Sequence, residues 1–166
     1  MVTYKNGDLL KSGCKFICHQ VNCKGVMGSG IAKQIKETYP EVFNEYKNFC
    51  DKGEQKLGSV LVVGRIINFF SQNDYLPRGV QHTDYQAFKD CCLALRKYLL
   101  DEHSSFLAHN LGVTLDYARR KYLPDVRIGF PCGIGCGLGG GDWEVIDGII
   151  NEVFADERFN VEIWKL

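Results

Sequence analysis

Nowhere in the sequence does an apolar run approach the roughly 20 residues that a bilayer-spanning helix requires. The amino terminus, Met1-Val2-Thr3-Tyr4-Lys5, lacks the charged-then-apolar order of a secretory signal. A soluble, cytoplasmic protein with no membrane partner is therefore expected. A surplus of one charge is missing as well, since 20 Lys plus Arg stand against 20 Asp plus Glu. Nucleic-acid binders draw most of their affinity from phosphate neutralisation and carry a basic surplus or stripe. The short cluster Arg119-Arg120-Lys121 reads instead as a solvated helix face, so duplex DNA or RNA is not expected as the main partner. No repeat, linker or low-complexity segment divides the 166 residues, a length that suits one domain spanning 1–166. Apolar residues make up 45% of the chain, enough for a core.

Cysteine is plentiful, at positions 14, 18, 23, 50, 91, 92, 132 and 136. A secreted disulfide scaffold would be shorter and would carry a leader. Cys14, Cys18, His19 and Cys23 superficially suggest a metal site. Structural zinc, however, is usually held by two short ligand pairs from separate places. Cys18 and His19 are neighbours in an apparent strand, so their side chains diverge to opposite faces. Reduced, mostly buried thiols are expected, with no metal and no resident cofactor.

Patterning alternates between the two regular structures. Residues 15–21, 59–63, 65–70, 126–130 and 161–165 are short apolar or β-branched runs and predict strands. Helices are predicted over 30–38, from Pro40 to about Lys52-Gly53, from Thr83 through Leu99, within 105–123, and over 143–154. Thr83-Asp84-Tyr85-Gln86 has the capping-box pattern, with the Thr83 hydroxyl as the expected N-cap acceptor. Strands alternating with helices predict an α/β fold with helices on both faces of a sheet.

Two constructions stand out. The strand at 15–21 runs into Asn22-Cys23-Lys24-Gly25-Val26-Met27-Gly28-Ser29-Gly30 and then a helix. The strand at 126–130 runs into the glycine-rich stretch 131–141 and then a helix opening near Asp142. Glycine permits close approach of a ligand to the chain, and successive amides at a helix start form an anion-binding concavity. In open α/β sheets such loops lie at the carboxyl ends of strands, where ligands bind. Two of them facing each other would hold a diphosphate. The phosphate-loop pattern Gly-x(4)-Gly-Lys-Ser/Thr is absent. Gly135-Cys136-Gly137-Leu138-Gly139-Gly140 matches the dinucleotide pattern, but it falls near the carboxyl terminus instead of the first βα turn.

At these residues the sequence resembles the macrodomain family, in particular its branch that processes ADP-ribose 1″-phosphate. The matching segments are Asn6-Gly7-Asp8-Leu9-Leu10, His19 through Ala32, and Ile134 through Trp143. The resemblance implies a three-layer α/β/α domain with a central mixed sheet. It also implies ADP-ribose or ADP-ribose 1″-phosphate as small-molecule ligand, and ADP-ribosylated macromolecules as further partners. Asp8 would accept a hydrogen bond from the adenine amino group, with Leu9 beside it. Asn22 would contact the distal ribose. The amides of Gly28, Ser29, Gly30 and Ile31 would cradle one side of the diphosphate, and those of Gly135, Cys136, Gly137 and Leu138 the other.

Three activities fit this resemblance: a phosphatase acting on ADP-ribose 1″-phosphate, a glycohydrolase releasing ADP-ribose from protein or nucleic acid, and a non-catalytic reader. The phosphatase is the favoured expectation. His19 resembles a histidine of phosphatase members and could hold a water or protonate a leaving oxygen; a half-buried structural histidine is the competing reading. Asp142 could activate water or simply cap the following helix. Asp74, after the strand at 65–70, is a third catalytic candidate. A related glycohydrolase branch uses a lysine nucleophile after the corresponding strand, yet no lysine occurs here between Lys56 and Lys89. That branch also has an acidic residue where this chain has Gly139.

Overall fold

A computed structural model describes all 166 residues. The short apolar runs form strands β1 (Val2–Asn6), β2 (Phe16–Asn22), β3 (Val60–Val63), β4 (Ile66–Gln72), β5 (Arg127–Pro131) and β6 (Asn160–Lys165). Between them lie α1 (Gly30–Thr38), α2 (Pro40–Asp51), α3 (Tyr85–Tyr98), α4 (Ser104–Leu111), α5 (Leu115–Lys121) and α6 (Trp143–Val153). The strands build one sheet in the order β1-β6-β5-β2-β4-β3. Every neighbouring pair is parallel except β3 with β4, so the sheet is mixed. Parallel β2, β4 and β5 end on the same edge of the sheet, and the loops that follow them gather there.

Strand parity decides what each face buries. Phe16 and Cys18 of β2 join Ile67, Phe69, Ile128, Phe130 and the apolar faces of α3 and α6 in the larger core cluster. Ile17 and Val21 point the other way, into clusters that contain Ile35 of α1 and Val42 and Tyr46 of α2. The result is the expected three layers, with a sheet buried on both sides.

One helix was expected within 105–123, and two are present. Gly112, at φ +65°, ends α4 in the left-handed conformation that glycine adopts without strain. The Thr114 hydroxyl then caps α5 by accepting from the Tyr117 amide. At the start of α3 the cap is Asp84, whose carboxylate accepts from the Ala87 amide at 2.8 Å, and not Thr83. A carboxylate is the stronger acceptor, and it leaves the Thr83 hydroxyl for another partner.

His19 lies between Ile17 and Val21 on the α1/α2 face and is fully buried. It pairs in register with Asn68, and its Nε2 stands 2.7 Å from Asn68 Oδ1. Asn68 Nδ2 donates to the Leu61 carbonyl, which fixes the amide orientation and makes His19 Nε2 the donor. Nδ1 is left without a partner. Burial lowers the His19 pKa to about 4, against the opposing effect of the Asn68 hydrogen bond.

The consequence for stability has a definite sign. The folded pKa of about 4 lies below the unfolded 6.5, so the unfolded chain takes up the proton first as pH falls. The contribution is complete above pH 6.5 and is lost on the way down to about pH 4, a change of roughly 3 kcal/mol. Thermal unfolding followed across this window should show the midpoint falling with pH in the wild type and falling less in His19→Gln. Parallel pH profiles for the two proteins would contradict the assignment.

Candidate functional site

The loops after β2 and β5 face each other across a cleft of about 690 Å³, within the range of small-molecule sites. The first loop is organised by Asn22. Its Oδ1 accepts from the amides of Lys24 and Val26, and its Nδ2 donates to the Val26 carbonyl at 2.7 Å. The buried Tyr46 hydroxyl sits 2.7 Å from the Asn22 carbonyl and 2.9 Å from Oδ1. These bonds shape the chain from Asn22 to Val26 and leave one Asn22 amide proton free.

Ser29 occupies the N-cap position of α1, but its side chain makes no capping bond. The amides of Gly28, Ser29, Gly30 and Ile31 donate to no protein acceptor. Across the cleft the amides of Gly135, Gly137 and Leu138 are equally free. All of these residues line the cleft. Cys136, expected among them, is different. Its amide donates to the Gly133 carbonyl at 2.9 Å, and its side chain packs against the larger core cluster. Burial, and then the nearby Asp142, raise the pKa of the Cys136 thiol.

The second loop is held from beneath by side chains that sequence reasoning did not bring together. The Thr83 hydroxyl donates to the Gly135 carbonyl at 2.7 Å and accepts from Gln20 Nε2 at 2.9 Å. Gln20 also donates to Gln72 Oε1 and accepts from the Ser71 hydroxyl. The Gly141 amide donates to the same Gly135 carbonyl, while the Gly139 carbonyl accepts from the amides of His82 and Thr83. This packing explains two glycines. Gly135 has φ +74°, and a Cβ on Gly139 would lie 2.5 Å from both the Gly135 carbonyl oxygen and Thr83 Oγ1. Polar residues at the ends of β2 and β4, in otherwise apolar strands, were the available signal.

Several expected site residues lie elsewhere. His19 is sealed in the core and does not line the cleft; Val21, on the same strand face but two residues nearer the strand end, does, so His19 lies too deep along β2 to reach it. Asp142 caps α6, accepting from the Glu144 amide at 2.9 Å while its own amide donates to the Tyr85 hydroxyl. It too stands outside the lining. Asp8 caps the short turn Leu9–Lys11 and pairs with Lys11 at 3.3 Å. Leu9 is buried among Cys14, Ile17 and Ile35, so its side chain is core. Neither Asp8 nor Leu9 belongs to the lining. Asp74 is likewise absent from the lining, although Gln72 and Tyr75 on either side of it in the chain belong to it. The Tyr75 amide, 2.8 Å from its carboxylate, lowers the Asp74 pKa, with Lys24 adding to the effect from 3.7 Å. No three His, Cys, Asp or Glu side chains converge as metal ligands.

Thr83→Val should free the Gly135 carbonyl of its buried donor and cost about 1–2 kcal/mol. Gly139→Ala should be worse than Thr83→Val, since backbone must move. Urea unfolding of both variants measures this, and wild-type stability in either would show that the clamp does not hold the loop.

Comparison with known proteins follows the same geometry. Residues 18–150 match the family model described as Macro domain. A 63-residue segment, 38% of this chain, is 48% identical to the DNA ADP-ribosyl glycohydrolase of Mycobacterium tuberculosis (strain ATCC 25618 / H37Rv). That segment covers 18% of the relative, so the chain spans only a small part of its length. An ADP-ribose 1″-phosphate phosphatase of Saccharomyces cerevisiae (strain YJM789) is 27% identical over 96% of this chain and 97% of its own. Among solved structures, the macrodomain of Mycobacterium tuberculosis DarG superposes with a TM-score of 0.74 at 26% identity, over 99% of this chain and 97% of that one. With the family model spanning most of its length and free amides on either side of its cleft, the chain belongs to the Macro domain family.

Proposed function

We propose that the cleft binds ADP-ribose and that the chain hydrolyses ADP-ribose 1″-phosphate to ADP-ribose and phosphate. The observation that carries this reading is the pair of unsatisfied amide rows, Gly28 to Ile31 and Gly135 to Leu138, facing each other across the cleft. A diphosphate between them satisfies amides that otherwise rely on water, and the positive end of the α1 dipole favours its charge. Strand order gives the ligand a direction. Asp8 follows β1 on one side, outside the cleft lining, and its part-exposed carboxylate, already held by the Leu10 amide and Lys11, is where the adenine amino group would meet the chain. Asn22 and the loop after β4 lie on the other, where the distal ribose would take the free Asn22 amide proton.

Water attacks phosphorus, and the C1″ oxygen of the ribose leaves. Such a transition state is loose, and catalysis rests on positioning and charge stabilisation. Asp74, flanked in the chain by the lining residues Gln72 and Tyr75, is the carboxylate this scheme assigns to the water. Its depressed pKa makes it a weak base, suited to orienting the attacking water through an accepted hydrogen bond. Imidazole chemistry at His19 has no part in this scheme. The eight free thiols suit the reducing cytoplasm as the place of action.

A second reading has its own support. The segment 48% identical to a relative named DNA ADP-ribosyl glycohydrolase favours release of ADP-ribose from ADP-ribosylated nucleic acid. Ser71-Gln72-Asn73-Asp74 offers no lysine nucleophile for that step, so it would proceed through water.

Calorimetry with ADP-ribose and phosphate release from ADP-ribose 1″-phosphate test the proposal on one sample. Binding with turnover is expected, and Asp74→Asn should lower turnover on the order of tenfold or more while ADP-ribose still binds. Binding without turnover would transfer the assignment to the glycohydrolase, which ADP-ribosylated DNA then tests. Absence of binding would refute both readings.

A further inference from the structure

Among the residues that line the cleft, Arg78 alone is charged. It is also the arginine that the fold does not use. Arg65 donates to the carbonyls of Ser12 and Cys14, and Arg127 pairs with Glu162. Arg96 and Arg158 pair with Asp156, Arg119 with Asp101, and Arg120 with Asp116. Arg78 enters none of the ion pairs. The neighbouring cation, Lys24, is occupied by Asp74.

Its position is set by the topology. Arg78 belongs to the loop after β4, and β4 flanks β2 on the side away from β5. The loop leaves β4 beside Asn22, where the Cys23 amide donates to the Asn73 carbonyl, and returns to the glycine loop after β5, where Gly140 lies against Val80 and Gln81; Arg78 belongs to the stretch between these anchors and lines the cleft. The loop that presents it is anchored at both ends. Gln72 Nε2 donates to the Asp74 carbonyl at 2.9 Å, His82 Nε2 lies 2.8 Å from the Pro77 carbonyl, and the His82 amide donates to Gly139.

We infer that Arg78 is the specificity residue of the cleft, receiving a phosphate ester carried beyond the distal ribose. The inference rests on the ADP-ribose reading proposed above. A diphosphate seated on backbone amides needs no cation of its own, whereas a further phosphate at the far end of the ligand meets no free amide row. Guanidinium matches phosphate with two parallel N–H donors, a geometry that lysine cannot reproduce. The phosphate has two chemical sources: the terminal phosphate of ADP-ribose 1″-phosphate, or the backbone of a strand whose base carries ADP-ribose.

The test compares affinities in the wild type, Arg78→Gln and Arg78→Lys. The probes are ADP-ribose, a non-hydrolysable phosphonate analogue of ADP-ribose 1″-phosphate, and an oligonucleotide bearing an uncleavable ADP-ribose on one base. The wild type should bind the phosphonate about tenfold more tightly than ADP-ribose, equivalent to roughly 1.4 kcal/mol. Arg78→Gln should erase that preference, Arg78→Lys should keep part of it, and added salt should shrink it. Arg78 dependence confined to the oligonucleotide would support phosphate recognition with the strand as its source. Equal losses for all ligands would place Arg78 on the diphosphate and overturn the inference, as would an unchanged ratio for both phosphate-bearing probes. Wild-type protein that binds none of the three would refute the ADP-ribose reading itself, a distinct outcome.

Discussion

The Gly135 carbonyl accepts from the Thr83 hydroxyl on one side and the Gly141 amide on the other, and this shared acceptor holds the second glycine loop in place. Drawn back in this way, the Gly135 carbonyl is directed into the fold while the amides of Gly135, Gly137 and Leu138 remain free. The hydroxyl is itself fixed by Gln20, and Gln20 by Ser71 and Gln72, so the loop after β5 is tied to the ends of β2 and β4. Each member of this network has a partner, with Thr83 and Ser71 buried and Gln20, Gln72 and Gly135 half-buried, conditions under which hydrogen bonds favour one geometry.

On the proposed reading, the cleft would hold an anion largely without charge. The chain is neutral overall, and apart from Arg78 the cleft lining is uncharged. Attraction would come instead from oriented amides at the start of α1 and in the glycine loop, dipoles fixed by the fold. Such dipoles need little rearrangement when a ligand arrives, and they bring no cation that would attract nucleic acid indiscriminately. The cost appears elsewhere. Gly139 can carry no side chain, and an uncapped helix start leaves the amides of Gly30 and Ile31 reliant on water in the free protein.

Much of this was legible in the sequence, for physical reasons that differ by element. The strands and helices around the two glycine loops follow period and composition, and α1 and α2 begin where the glycine loop and Pro40 place them. Side-chain destinations were harder. His19 sits three residues before Asn22, deep enough along β2 to pack in the core beside Asn68, whereas Gln20 and Val21, on opposite faces nearer the strand end, both reach the cleft. Thr83 and Asp84 both satisfy the chemistry of an N-cap, and only the tertiary demand of the Gly135 carbonyl separates their roles. Asp142 was ambiguous between base and cap, and the fold uses it as a cap. The Gln20–Gln72–Thr83–Gly135 network joins residues too far apart in the chain for any local pattern to reveal. Arg78 carried no motif at all; its meaning comes from every other arginine being occupied.

The central claim is that two opposed rows of free backbone amides hold the diphosphate. Amide chemical shifts followed by NMR during an ADP-ribose titration address it at the atoms concerned. The account predicts that the largest changes fall on Gly28, Ser29, Gly30, Ile31, Gly135, Gly137 and Leu138, with the Cys136 amide, already bonded to Gly133, moving less. Saturable binding with those amides unmoved and the changes elsewhere on the surface would contradict it.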